Sequence, residues 1–164
     1  MILHLAKDLV IFLTFCEDAK KRSKELLEKS LSCYFEMKKC PPDKVFYQPS
    51  GKPSFASGKR FLSISHCKNL YGVCISSKEV GLDIESLSEK RERVAEKYFT
   101  EEEKRLPFSL VWTGKEALSK ISGEGLSVIS KIEVKGDLAL FQGEEYPLFT
   151  KEIRGYRVTV AEKR

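Results

Sequence analysis

Residues 80–85 read Val80-Gly81-Leu82-Asp83-Ile84-Glu85. Successive side chains of an extended strand alternate, so Val80, Leu82 and Ile84 share one face while Gly81, Asp83 and Glu85 share the other. Two carboxylates thereby become neighbours. That suits a hard divalent cation such as Mg²⁺, which binds through one or two carboxylates and completes its shell with water and phosphate oxygens. The same alternation also describes an ordinary half-exposed strand, so the stretch predicts a strand and leaves its purpose open.

Working outward, strands are expected at Phe61–Ser65 and Leu70–Ser76 before it, and at Val45–Tyr47 ahead of an exposed Gln48–Pro53 turn. Residues 2–15 read as one strand, followed by a helix from Glu17 and Asp18 to about Lys38. Ala19, Leu26, Leu27, Leu31, Cys33, Tyr34 and Met37 form its buried face, and Pro41-Pro42 stop it. After the acidic strand, Ser88–Tyr98 reads as a solvated helix, and Thr100 with Glu103 has the spacing of a capping box. Pro107 interrupts, Ser109–Ile121 reads as a further helix, and Val128–Val134, Leu138–Phe141 and Tyr156–Val160 read as strands. Helix and hairpin strands thus occur in each half, which predicts an α+β chain with a cleft where the halves meet. No internal repeat is strong enough to prove duplication.

Composition bounds the function. The chain has 164 residues, and 29 Lys+Arg against 24 Asp+Glu give a net charge of +5. The balance favours phosphorylated ligands, acidic proteins or nucleic acid without choosing among them. No uninterrupted apolar stretch reaches the length of a spanning helix, so a soluble cytoplasmic protein is expected. Five cysteines, odd in number and without a C-x-x-C pair, predict reduced structural thiols rather than a zinc site or a disulfide framework.

Three further stretches carry chemistry. In Trp112-Thr-Gly-Lys-Glu-Ala-Leu-Ser-Lys120, spacings of three and four put Trp112, Lys115, Glu116 and Lys120 on one helical arc. A plain amphipathic helix, with Glu116 paired to Lys120, gives the same pattern. Ser63-Ile-Ser-His-Cys67 ends a strand on His66, whose imidazole could donate to a phosphate oxygen or simply sit at the surface. Gly51-Lys-Pro53 joins a permissive backbone, a point charge and a rigid exit, as many loops do.

In this order, Gly-Lys-Pro, Ser-His, Gly-x-Asp-Ile-Glu and Trp-x-x-Lys-Glu-Ala-x-x-Lys resemble the phosphopantetheinyl transferase superfamily over about residues 51–126. Tyr98-Phe-Thr-Glu-Glu102 and Gly123-Glu-Gly-Leu126 fit as well. The two-halved, surfactin-synthetase-activating type is the nearer likeness, because a helix-bearing segment precedes Gly-Lys-Pro and the Ser-His lies upstream of the acidic strand.

The resemblance implies two similar α/β halves, 1–78 and 79–164, packed as a pseudo-dimer around an active-site cleft in a single 1–164 domain. It implies Mg²⁺-dependent transfer of the 4′-phosphopantetheine of coenzyme A to a serine of an apo-acyl or peptidyl carrier protein, releasing 3′,5′-ADP. Asp83, Glu85 and Glu116 are the implied metal ligands. Lys52, Pro53, Ser65, His66, Lys115 and Lys120 are the implied coenzyme A contacts, with Gly123–Leu126 near the pantetheine arm. Glu116 and Lys120 are the implied catalytic pair, Glu116 as general base. The carrier is expected to dock along Glu89–Arg105, and the protein is expected to be a monomer that binds neither nucleic acid nor membrane.

The chain departs from that pattern in two places. The segment before Gly51 lacks the usual basic helix, for which Lys20, Lys21 and Arg22 are substitutes or merely a solvated helix start. The segment between Phe99 and Trp112 is short and broken by Pro107. A competing reading is therefore a non-catalytic coenzyme A or carrier-protein binding module, against which the acid trio speaks. A nucleic-acid binder ranks below both, because the Phe and Tyr residues fall at core-like positions rather than among cations on an exposed sheet.

Overall fold

A computed structural model describes every residue except Lys7, Glu89 and Lys90. The expected strand over 2–15 is instead a hairpin, β1 (Ile2–Ala6) and β2 (Leu9–Phe15), with Ile2 opposite Phe12 and Ala6 opposite Leu9. The apolar run hides the break because β2 is buried on both faces while β1 alternates along an edge. Helix α1 (Ser23–Lys38) starts later than expected, since Asp18 takes the left-handed region at φ 52° and residues 17–22 form turns. It buries Leu26, Leu27, Tyr34 and Phe35 and ends on left-handed Lys39, just before the two prolines.

A small hairpin follows, β3 (Val45–Tyr47) and β4 (Pro53–Phe55), and then β5 (Phe61–Cys67) and β6 (Leu70–Ser76). The first sheet has the order β1-β2-β6-β5. Strand β7 (Val80–Ser86) opens the second sheet. Helix α2 spans Glu92–Tyr98, so the start of the helix expected from Ser88, and of the stretch expected to dock a carrier, falls on Glu89 and Lys90, outside the described residues.

The Thr100–Glu103 capping box forms reciprocally, with Thr100 N–H donating to Glu103 Oε2 at 2.8 Å and Glu103 N–H to Thr100 Oγ1 at 3.2 Å, but it opens only a 3₁₀ turn, Glu103–Arg105. Helix α3 (Phe108–Ser122) begins just after Pro107. The strand expected at Val128–Val134 is mostly a 3₁₀ segment, Gly125–Lys131, leading into a short β8 (Glu133–Lys135). Strands β9 (Leu138–Phe141), β10 (Glu144–Ile153) and β11 (Tyr156–Glu162) complete the order β7-β11-β10-β9-β8. The ten-residue β10 escapes a pattern reading because Pro147 lies inside it, opposite Leu138.

The layers follow from which faces are apolar. Helix α1 covers one face of the first sheet, and α3 packs on the second sheet with Trp112, Leu118, Val134 and Phe141 in its core. Between the sheets, Leu9, Ile11, Leu13 and Leu70 meet Leu82, Ile84, Val158 and Val160. Gly72 of β6 makes that approach possible, because a Cβ there would stand 2.8 Å from Ile84 Cδ1. Among the described residues, none of the five cysteines forms a disulfide. Among the described residues, no helix is long and apolar enough to cross a membrane.

Candidate active site

The site begins with Gly81. A Cβ there would collide with the Ala117 carbonyl oxygen, so glycine lets α3 lie directly against β7. Asp83 and Glu85 share the Gly81 face, and α3 covers them until they are only 7% and 9% exposed. They are therefore not the acids of a half-exposed strand, and two largely desolvated carboxylates need compensation.

Compensation comes from three elements. Lys120 of α3 donates from Nζ to Asp83 Oδ1 at 2.9 Å and to the Leu82 carbonyl at 2.7 Å. Ser65 of β5 donates to the same Oδ1 at 3.1 Å. Arg91 stands 3.5 Å from Glu85 Oε1, and Cys67 Sγ is 4.0 Å from Glu85 Oε2. Asp83 Oδ2, though buried, has no hydrogen-bond partner among the described residues. Glu116 completes the acidic trio, and its carboxyl is pushed up to about 6 by burial first and by the Asp83 and Glu85 charges, against the pull of Lys120 and Arg91.

A cavity of about 440 Å³ opens beside this group, lined by Lys52 and Pro53 from the small β3–β4 hairpin, Glu116 and Lys120 from α3, and Gly123 and Leu126 beyond it. Lys52 Nζ donates to the Ile121 carbonyl at 2.8 Å near the end of α3, and burial lowers its pKa. His66 is exposed, and its pKa is lowered by partial burial and then by the charges of Lys20 and Lys120. The turn before α1 thus brings Lys20 into the electrostatic reach of the Ser-His strand.

These donors are hard. Orphaned Asp83 Oδ2, with the Glu85 and Glu116 carboxylates, has the chemistry that oxygen-seeking divalent cations accept. Among the described residues, no three His, Cys, Asp or Glu side chains are gathered closely enough to share one ion.

The profile of the 4′-phosphopantetheinyl transferase superfamily matches residues 79–161, half of the chain. The chain belongs to this superfamily. It is 28% identical over 109 residues to the 4′-phosphopantetheinyl transferase HetI of a Nostoc species, the match covering 56% of this chain and 46% of that protein. The chain thus spans about half the length of this curated relative. The profile covers β7 and α3, and so Asp83, Glu85, Glu116 and Lys120, whereas Lys52, Ser65 and His66 lie before it.

In this phosphopantetheinyl transferase-superfamily chain the arc expected on α3 divides. Glu116 and Lys120 face the cavity and β7, but Trp112 packs between Tyr98 and Phe108 at centroid distances of 6.0 and 6.1 Å. Lys115 is fully buried, 3.0 Å from Glu103 Oε2, and donates to the Ile132 carbonyl beneath the Phe99 ring. Burial lowers its pKa and Glu103 opposes the shift. Its ammonium forms an internal ion pair with Glu103, away from the cavity that Lys52, Glu116 and Lys120 line.

Ser65 is also engaged internally. It is 7% exposed, its oxygen accepts from Ile84 N–H at 3.2 Å, and its one hydrogen goes to Asp83. The hydroxyl hydrogen thus points inward, at the acid of β7. Sequence reasoning missed Glu103 as the partner of Lys115 and Arg91 as that of Glu85. The capping-box spacing marked Glu103 without revealing that its second oxygen accepts from Val134 N–H at 2.7 Å.

Proposed function

We propose that this superfamily member transfers 4′-phosphopantetheine from coenzyme A to a serine hydroxyl of an apo-acyl or peptidyl carrier protein and releases 3′,5′-ADP. The observation that carries the reading is the meeting of Asp83 and Glu85 from β7 with Glu116 and Lys120 from α3 beside a cavity of about 440 Å³, inside the family-matched region. In this proposal the chain is a monomeric, cytoplasmic domain over 1–164 whose similar halves, 1–78 and 79–164, form a pseudo-dimer around an active-site cleft. The change of sheet between Ser76 and Val80 supports that division.

Asp83, Glu85 and Glu116 would hold Mg²⁺, with Glu116 turning toward β7 to join the other two. When bound, the ion supplies positive charge against the pyrophosphate. The chain's own residues do the rest. Lys120 keeps its bonds to Asp83 and the Leu82 carbonyl and turns its third N–H to a phosphate oxygen, Lys52 and Lys20 supply further positive charge around the cofactor, and the His66 imidazole donates a hydrogen bond. Pro53 fixes the wall beside Lys52, and Gly123 to Leu126 border the pantetheine arm.

Glu116 is the general base. Without a bound ion its carboxyl is pushed up to about 6, ionised at neutral pH yet more basic than an ordinary carboxylate. The serine oxygen then forms the new P–O bond, the pyrophosphate P–O bond breaks, and 3′,5′-ADP departs. A surface with a net charge of +5 speeds encounter with acidic carriers and loses that advantage as salt rises.

The test incubates the protein with coenzyme A, Mg²⁺ and a panel of apo-carriers. The expected result is a carrier mass gain of one phosphopantetheine, abolished by EDTA. Coenzyme A binding with no mass gain on any carrier would replace this reading with that of a binding module.

A further inference from the structure

Strands β5 and β7 are edge strands of the two sheets and lie against each other. An edge strand leaves a row of backbone donors without a ladder partner. Here two serine hydroxyls take that place, Leu82 N–H donating to Ser63 Oγ at 2.9 Å and Ile84 N–H to Ser65 Oγ at 3.2 Å. Ser63 and Ser65 are two residues apart on one face of β5, so they meet alternate residues of β7.

The two serines differ in one contact. Ser65 Oγ also reaches Asp83 Oδ1 at 3.1 Å, and among the described residues Ser63 makes no bond to Asp83. A hydroxyl has a single hydrogen. Because Ile84 N–H already points at the Ser65 oxygen, that hydrogen is directed at the carboxylate. Oδ1 is thus held from the β5 side by Ser65 and from the α3 side by Lys120 at 2.9 Å, while buried Oδ2 has no hydrogen-bond partner among the described residues. Two bonds to one oxygen fix the plane of the carboxylate and the direction in which the other oxygen points.

We propose that Ser65 is a positioning residue, which anchors Asp83 through Oδ1 and so presents Oδ2 to a divalent cation. The proposal rests on the metal reading above. Partners behind a metal ligand commonly govern affinity by 10- to 100-fold. Removing the Ser65 hydroxyl should therefore weaken cation binding by about tenfold or more, whereas Ser63, with the same kind of backbone bond and no carboxylate, should not.

The experiment titrates Mn²⁺ into the full chain, reads free Mn²⁺ by electron paramagnetic resonance, and records unfolding temperatures alongside. Ser65→Ala and Ser63→Ala should lower the unfolding temperature by similar amounts, with Mn²⁺ affinity falling only in Ser65→Ala. Should Ser65→Ala fail to fold, the near-isosteric pair Ser65→Thr and Ser65→Val isolates the hydroxyl, and only the threonine variant should keep wild-type affinity. Equal affinity in Ser65→Ala and Ser63→Ala, or in the threonine and valine variants, would overturn the role of Ser65 and leave the metal reading standing. Wild-type protein and Asp83→Ala binding Mn²⁺ equally, or neither binding it, would overturn the metal reading and this inference together.

Discussion

Lys120 Nζ lies 2.9 Å from Asp83 Oδ1 and 2.7 Å from the Leu82 carbonyl, so one ammonium of α3 grips both the acid and the backbone of β7. The Lys120 side chain is 31% exposed and that of Asp83 10%, which leaves the lysine open to a ligand while the acid stays inside. The contact joins the helix and strand that carry the acidic trio.

Lys120→Met removes that grip and leaves Asp83 buried without its counter-charge. The unfolding free energy in urea should fall by about 1–2 kcal/mol, less than for a fully buried pair because water reaches the lysine. Coenzyme A affinity, measured by calorimetry, should fall in the same variant. Unchanged stability would show that the ion pair does not hold α3 to β7.

The Lys115–Glu103 pair is of another kind, at 0% and 1% side-chain exposure. Lys115→Met or Glu103→Gln alone strands its partner in the interior and should cost about 3–5 kcal/mol. The double variant should recover a large part of that loss, and a double-mutant cycle from urea unfolding measures the coupling. Additive losses would contradict the pair.

Glu116 gives a pH signature. Its folded-state pKa of about 6 lies above the ordinary 4.5, so the fold is favoured while the carboxyl is protonated. That contribution is complete below about 4.5 and lost as pH rises through about 6. Allowing for solvent screening, ionisation costs about 1 kcal/mol. Glu116→Gln, which cannot ionise, should be more stable than wild type at pH 7.5 in EDTA by about that amount relative to the comparison at pH 4.5. Thermal unfolding at the two pH values checks this, and a pH-independent difference would contradict it.

Gly81→Ala tests the close packing beneath the site. Its methyl group meets the Ala117 carbonyl, a backbone atom that cannot rotate aside. The variant should lose about 3 kcal/mol or more of stability. Wild-type unfolding in urea would mean that α3 does not lie so close to β7.

What the sequence reveals here is what depends on local periodicity. The alternation from Val80 to Glu85 marks β7, and the apolar positions between Val111 and Ile121 mark α3, because strand and helix repeats are written in neighbouring residues. Partnerships across space are not written that way. Lys115 and Glu116 are adjacent in sequence, yet one is sealed against Glu103 and the other faces the cavity. The bond from Ser65 to Asp83 is legible only when β5 is laid along β7, since the two residues lie on different strands. Residues 2–15 and 144–153 mislead for related reasons, since an apolar run hides a hairpin and Pro147 hides a strand.

The most direct test of the central claim, that acids from β7 and α3 act together in one transfer reaction, is the rate of 3′,5′-ADP release by Asp83→Asn, Glu116→Gln and the double variant with coenzyme A, Mg²⁺ and an apo-carrier. Groups that work as one unit give non-additive losses. Each single variant should lose nearly all activity, and the double variant should be no slower than the worse single. Wild-type rates in either single variant, or losses that multiply in the double, would contradict a shared site.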